Sequence, residues 1–169
     1  MIPLKTLPHQ LTQHTKLLHK VALVHGNKVL ILKRSPQAGS RPGKWDLPGG
    51  NSEWPSATHS QQMNLHQQDL EREILEETGL MVEAARFTQD KLKYFATFFE
   101  PDRQLYSINC GWVLDISHDQ SNSQQEPQIQ LSREHTEFAW ITLQELSQYD
   151  FGGVDRDYET AIIRKALRS

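Results

Sequence analysis

Cysteine is nearly missing from this 169-residue chain: the single Cys110 rules out an internal disulfide framework and makes a reducing compartment the expectation. No apolar run approaches the ~18 residues of a membrane span. The N-terminal MIPLKTLPHQ lacks the apolar region of a signal peptide, so a cytoplasmic location is expected. Excess charge of one sign is lacking too. Eighteen basic residues against 21 acidic ones give a formal charge of -3 and a pI near 6.2. That balance offers no broad attraction for a nucleic-acid polymer or an anionic membrane. Hydrophobic residues, at 37%, fall below the usual globular share, so some segments are expected outside the core. The length suits one domain with a real core and one active surface.

What is present divides into short segments. Residues 1–16 mix Pro, Gln, His and Thr without a sustained period and read as a tail or edge extension, leaving 17–169 as one domain. KLLHKVALVHGNKVLILKRS holds two β-rich runs split by Gly26-Asn27, the composition of a tight hairpin. SPQAGSRPGK reads as a loop, and Trp45 to Leu47 as a short strand running into Pro48-Gly49-Gly50. A helix is expected from Asn64, with Asn64 and Gln67 as a capping box and Gly79 as the C-cap. MVEAARFTQDKLKYFATFFE and LYSINCGWVLDIS read as strands joined by the turn PDRQ. HDQSNSQQEPQIQ is a polar segment expected to be a mobile loop. FAWIT predicts a strand, LQELSQY a short helix and DRDYETAIIRKALRS an amphipathic closing helix. Strands, a helix, more strands and closing helices suggest an α+β or mixed α/β layer fold.

The stretch REILEETGL, Arg72 to Leu80, carries Glu73, Glu76 and Glu77 just before a glycine. At about 100° per residue, with Glu73 as origin, Glu76 falls at about 300°, Glu77 at about 40° and Asp69 at about 320°. Leu70, Ile74, Thr78 and Leu75 lie on the other side, so packing through that side is expected to turn the acids outward. A solvated acidic face costs only about 0.2–0.5 kcal/mol per like-charged pair, which energetics alone does not exclude. Placement speaks against it, because the macrodipole disfavours Glu76 and Glu77 in the last turn. Hard oxygen ligands at this spacing suit Mg²⁺ or Mn²⁺, with Arg72 holding Glu76 at i,i+4 and a glycine-turn carbonyl as a further ligand.

This arrangement resembles the Nudix hydrolases, MutT-like members included. The second half of their signature, R-E-U-x-E-E-x-G-U with U apolar, is matched by Arg72, Glu73, Ile74, Glu76, Glu77, Gly79 and Leu80. WDLPGGNSE resembles the approach to it, with Gly50 as the signature glycine, and EHTEFAWITLQEL resembles the segment that closes the sheet. Gly50 lies 22 positions before Arg72, eight more than the signature spacing. The first signature glutamate is replaced by Asn64 counted back from Arg72, or by Ser56 counted forward from Gly50.

The resemblance implies an α/β/α sandwich with a mixed central sheet and one metal-binding helix. It also implies Mg²⁺-dependent attack of water on the pyrophosphate bridge of a nucleoside di- or triphosphate, or of a nucleoside diphosphate linked to another moiety. Gly50, Glu73, Glu76, Glu77 and Glu134 would hold the metal, Mn²⁺ being an alternative to Mg²⁺. Glu73, Glu77 and Glu134 would be the catalytic acids, with Glu137 as the runner-up to Glu134. Arg34 and Arg103 would bind substrate, and Arg72 and Gly79 would support the site. The partner is then a small nucleotide, and the protein a monomer or homodimer. A Nudix-like nucleotide-binding module with weak or no catalysis is the alternative. Trp45, Trp112 and Trp140 read as packing residues, Tyr94 and Phe95 as borders of the cleft, His135 as a loop or packing residue, and Cys110 as a buried inert thiol.

Overall fold

The computed structural model describes residues 14–53, 63–119, 125–152 and 158–168. Most of the expected tail, part of the insertion before the acidic helix, the middle of the polar segment and the start of the closing helix lie outside these residues. Six strands form one mixed sheet: β1 (Thr15–His25), β2 (Lys28–Arg34), β3 (Trp45–Asp46), β4 (Leu92–Glu100), β5 (Leu105–Asp115) and β6 (His135–Ile141). Helix α1 (His66–Thr78) packs on one face and α2 (Tyr158–Leu167) on the other. Alternation along β1 and β2 feeds both layers. Val21, Leu23, Leu30 and Leu32 meet Leu70, Ile74 and Trp112 on the α1 side, while Ala22, Val24, Val29 and Ile31 meet Ile162 and Ile163 on the α2 side. The result is the α/β/α sandwich expected.

The hairpin turn falls at Gly26-Asn27 as read, but β1 and β2 then part. Their pairs are Val24 with Val29 and His25 with Lys28, next to the turn. Beyond these, β1 runs parallel to β5, and β2 takes β6 on its outer edge. The segment from Trp45 to Ser52 fills the gap. β3 pairs with β2 through Asp46 and Trp45. On the other side, Val21 N donates to Pro48 O at 2.9 Å, His19 N to Gly50 O at 2.9 Å and Ser52 N to Leu17 O at 2.8 Å. The His19 ring supports the same segment. Trp112 Nε1 donates to His19 Nδ1 at 3.0 Å, and because indole is a donor only, His19 Nε2 carries the proton and faces Ser52 Oγ at 3.0 Å. Burial, aided by His66, pushes the His19 pKa down to about 4, which keeps this ring neutral.

Asp46 anchors the wedge from within. It is fully buried and receives Lys20 Nζ of β1 at 2.9 Å, Arg34 Nη1 of β2 at 3.1 Å and Arg41 Nη2 of the preceding loop at 2.9 Å. Burial opposes its charge, but Lys20 and Arg41 prevail and hold its carboxyl well below the usual range. Arg41 continues to Glu159 of α2 at 2.5 Å.

Four expectations are corrected. Of MVEAARFTQDKLKYFATFFE only Leu92–Glu100 is a strand, while Ala84–Arg86 and Gln89–Lys91 form 3-10 turns. Helix α1 begins at His66 with Leu65 at the N-cap and no side-chain cap: Asn64 sits at φ 59°, and the Gln67 amide bonds Phe87 O at 2.9 Å, so the capping box does not form. The C-cap is Gly79, as expected. LQELSQY yields a single 3-10 turn, Leu146–Gln148. Of the polar segment, residues 118–130, the stretch 125–130 is irregular but docked: Ile129, with Leu131 just beyond, joins the α1-side core, and Gln130 N donates to Thr78 O at 2.8 Å. Apolar residues within a polar run supply that anchorage. Elsewhere the expected packing holds, with Trp112, Trp140 and Cys110 buried, and burial pushing the thiol pKa up. β4 closes one side of the sheet, pairing with β5 and leaving Phe95, Phe98 and Phe99 exposed.

Gly49 has φ 121°, and a Cβ there would strike the His19 carbonyl, whereas Gly26 at φ 61° has open space around it. Gly49→Ala is therefore expected to cost about 2–4 kcal/mol in denaturant unfolding and Gly26→Ala about 1–2 kcal/mol, with equal losses refuting the steric account. Asp46→Asn strands three cations, and the same measurement should show a loss of about 3–5 kcal/mol.

Candidate functional site

The wedge and the last turn of α1 together form one end of a cleft of about 730 Å³. Glu73, Glu77, Gly49 and Gly50 line that end. Glu77 Oε2 accepts from Gly49 N at 2.8 Å, and its other oxygen stands 3.9 Å from His135 Nε2. The expectation that packing turns every acid outward fails here: Glu77 is 7% exposed while Leu75 is 47% exposed. The reason is angular. Glu77 lies only about 20° from Leu70, so it shares the buried stripe of Leu70, Ile74 and Thr78, while Leu75 lies beyond it. Burial drives the Glu77 pKa up to about 8 against the opposing pull of Lys20 and the Gly49 bond.

Glu73 is half-buried beside it, and burial raises its pKa as well, opposed by Arg72. A Cβ on Gly50 would lie 2.8 Å from the Glu73 carboxyl, so any side chain there would push that carboxyl aside. The Gly50 carbonyl, accepting from His19 N, keeps its second lone pair. Arg72 gathers the acids of α1, reaching Glu73 at 3.0 Å, Glu76 at 3.2 Å and Asp69 at 3.5 Å. Glu76 is exposed and is not part of the cleft wall. Among the described residues, no three His, Cys, Asp or Glu side chains form a ready-made metal cage.

The remaining sequence candidates separate. Glu134 and Arg34 line the cleft. Arg34 is held by Asp46 and by Ser40 O at 2.8 Å, and the Glu134 carbonyl accepts from Ser35 N at 2.7 Å, which ties the late loop to the end of β2. Glu137 pairs with Lys33 at 2.7 Å outside the cleft. Arg103 stands on the turn between β4 and β5, exposed and paired with Glu100 at 3.2 Å, and is not brought to the acidic end. Tyr94 lines the cleft and Phe95 does not, because successive residues of β4 face opposite sides. His135 is a buried packing residue whose pKa burial pushes down to about 4.

The charged floor of Lys20, Asp46 and Arg41 was not among the sequence candidates. Its signal is a lysine inside the apolar run KVALV and an aspartate between Trp45 and Leu47, both polar residues where a core is expected. Lys20 Nζ also donates to Leu47 O at 3.0 Å and Gly49 O at 2.8 Å, which satisfies a buried ammonium. Glu159 is buried behind Arg41, and burial together with Asp46 pushes its pKa up. Chemically, the cleft offers two adjacent carboxyls with a carbonyl at one end and guanidinium groups on the wall.

Comparison with known proteins fits this geometry. A model of the NUDIX domain matches residues 19–161. The MutT protein of Methanosarcina mazei Go1 shares the fold at a TM-score of 0.63 and 20% identity, over 92% of this chain and 98% of that one. A MutT NUDIX hydrolase of Burkholderia pseudomallei matches at 0.60 and 18%, over 89% and 96%. A bifunctional NMN adenylyltransferase/ADP ribose pyrophosphatase of Francisella tularensis, complexed with AMP and Mn ion, matches at 0.58 and 18%, over 90% of this chain and 42% of that one. A search of curated proteins found no match. No described helix is long and apolar enough to cross a membrane. The domain match runs through the wedge and the acidic helix and ends in the first turn of α2, and on it the chain belongs to the Nudix family of hydrolases.

Proposed function

We propose that the chain is a Mg²⁺-dependent pyrophosphohydrolase, cleaving the pyrophosphate bond of a nucleoside di- or triphosphate, or of a nucleoside diphosphate linked to another moiety. The observation that carries this reading is the placement of Glu73 and Glu77 against Gly49-Gly50 at the end of a cleft walled by Arg34. The donor set fits Mg²⁺, which takes one or two carboxylates together with waters and substrate phosphate oxygens. Burial of the Glu77 carboxyl outweighs the pull of Lys20 and of the Gly49 amide, and a divalent ion beside it would add the compensation those two leave short. Mn²⁺ suits the same oxygens.

Glu73, Glu77 and the Gly50 carbonyl would hold the metal, with Glu76 and Glu134 as further oxygen donors around it. When bound, the ion lowers the pKa of a coordinated water and neutralises phosphate charge. The chain's own residues do the rest. Arg34, fixed by Asp46 and Ser40, presents a guanidinium edge to the phosphates. Glu134 and Glu73 are the candidates to take the proton of the attacking water. Arg72 holds the Glu73 carboxylate in place from behind, and Gly79 ends the helix so that its last turn meets the wedge. A nucleotide-binding module with weak catalysis is the second reading, supported by the position of Glu76 outside the cleft wall. Cytoplasmic residence and a monomeric or homodimeric state complete the proposal.

Incubation with a nucleotide panel and Mg²⁺ should release phosphate, pyrophosphate or a nucleoside monophosphate. Glu77→Gln should lower kcat/KM beyond the roughly 10–100-fold typical of losing an outer-shell partner. Retained activity in Glu77→Gln would sink the site assignment, and binding without turnover would select the second reading. Mg²⁺ at about 100 times its Kd should stabilise the wild type by about 2.7 kcal/mol, a rise in Tm of about 5–10 °C. Glu73→Gln and Glu77→Gln should abolish that rise in a thermal melt without nucleotide; an unchanged rise would place the ion elsewhere.

A further inference from the structure

Beyond the acidic end, the cleft continues over a floor that no sequence motif marks. There β1, β5 and β4 lie side by side, and their register sets side chains in rows across the sheet. Leu18 stands beside Asn109 and Ala96, then Lys16 beside Ser107 and Phe98. All six line the cleft. Rows on one face are about 7 Å apart. The β1 column begins at Lys20, whose ammonium contacts the Gly49 carbonyl at 2.8 Å, so the Asn109 row is one step from the acidic end and the Phe98 row two.

The chemistry changes along those steps. Leu18 and Ala96 give a flat apolar surface, and Phe98, 42% exposed, adds an aromatic face on the outer strand. Lys16 and Glu100 pair at 3.7 Å, so the far end carries little net charge. One uncharged polar side chain stands in the middle. The Asn109 Oδ1 accepts from the hydroxyl of Ser107 at 2.8 Å, and Ser107 is itself 2% exposed. That bond leaves the Asn109 Nδ2 as the free edge of the amide, a donor with no hydrogen-bond partner among the described residues. A flat apolar surface with a single oriented donor suits a planar heterocycle offering an acceptor.

We propose that this floor seats the base of the nucleotide, and that Asn109, oriented by Ser107, selects bases presenting an oxo oxygen over those presenting an amino group. The inference rests on the nucleotide reading above and deepens it by naming how the base is read. Guanine and uracil carry the oxo group where adenine and cytosine carry the amino group. An amide donor satisfied by the first pair is left facing another donor by the second, which is the source of the discrimination.

The test measures calorimetric binding of GMP, UMP, AMP and CMP without metal, alongside kcat/KM for the four triphosphates with Mg²⁺. The wild type should favour guanine and uracil over adenine and cytosine by about tenfold or more. Asn109→Leu should bring the four within about threefold, and Asn109→Asp, which offers acceptors alone, should reverse the order. Ser107→Ala should weaken the preference by freeing the amide. The proposal is overturned by a wild type that does not favour the oxo bases, or by Asn109→Leu scaling all four equally, which is a merely structural effect. If Asn109→Leu does not fold, the reversal in Asn109→Asp reads the same contact. A monophosphate ranking that moves with Asn109 in a chain that hydrolyses no member of the nucleotide panel would sustain this inference while removing the hydrolase reading. No binding of any nucleotide removes both.

Discussion

The buried carboxylate of Asp46 is the constraint on which the rest depends. It lies at the point where β1 and β2 have separated and holds one cation from each, with a third from the loop between β2 and β3. An ionised group removed from water is costly unless its partners are close and well aimed, so these four segments adopt their arrangement together. Through Arg41 the same cluster reaches Glu159, so the position of α2 over the cleft is tied to the wedge rather than to packing alone. Lys20, Arg34 and Arg41 gather just where the acids of α1 approach, so opposite charges meet at that end of the cleft. The carboxyls at one end and the guanidinium groups along the wall are thus complementary parts of one charge pattern.

Helix α1 is placed by a different balance. Its apolar stripe is narrow, and a carboxylate at the margin of that stripe is carried under with Leu70 and Ile74. The Gly49 amide meets it there. Sequence and packing therefore deliver an acid to the boundary between core and cleft, where an uncompensated charge is most expensive.

Much of this was legible in the sequence, for identifiable reasons. REILEETGL announces its helix, its C-cap and its acids because glycine and charge at helical spacing have few other uses together. Gly26-Asn27 locates the hairpin because few other dipeptides suit that turn. The wedge was hidden, since alternation along β1 shows which face a residue takes and says nothing of which strand lies alongside. Lys20 reads as a stray charge in an apolar run until Asp46 is beside it. The capping box was misread because Asn64 and Gln67 have the right spacing, but Gln67 finds a tertiary partner in Phe87 O. Leu75 and Glu77 exchange their expected places because a rotation of a few tens of degrees about the helix axis decides burial at the edge of a stripe. Asn109 carries no signal at all: its meaning comes from a neighbour two positions away on the same strand face and from the strands on either side.

The end of the sheet at β4 has a consequence for the chain's behaviour away from its site. Its nine residues present exposed phenylalanines at 95, 98 and 99 along a backbone edge that no described strand covers. Such an edge is a template for strand addition, and Lys93 is its one exposed charge, set against three aromatic rings. In a refolding mixture, chains that have formed β4 and β5 before the rest of the sheet can meet there, so recovery of native protein should depend on concentration more than on time.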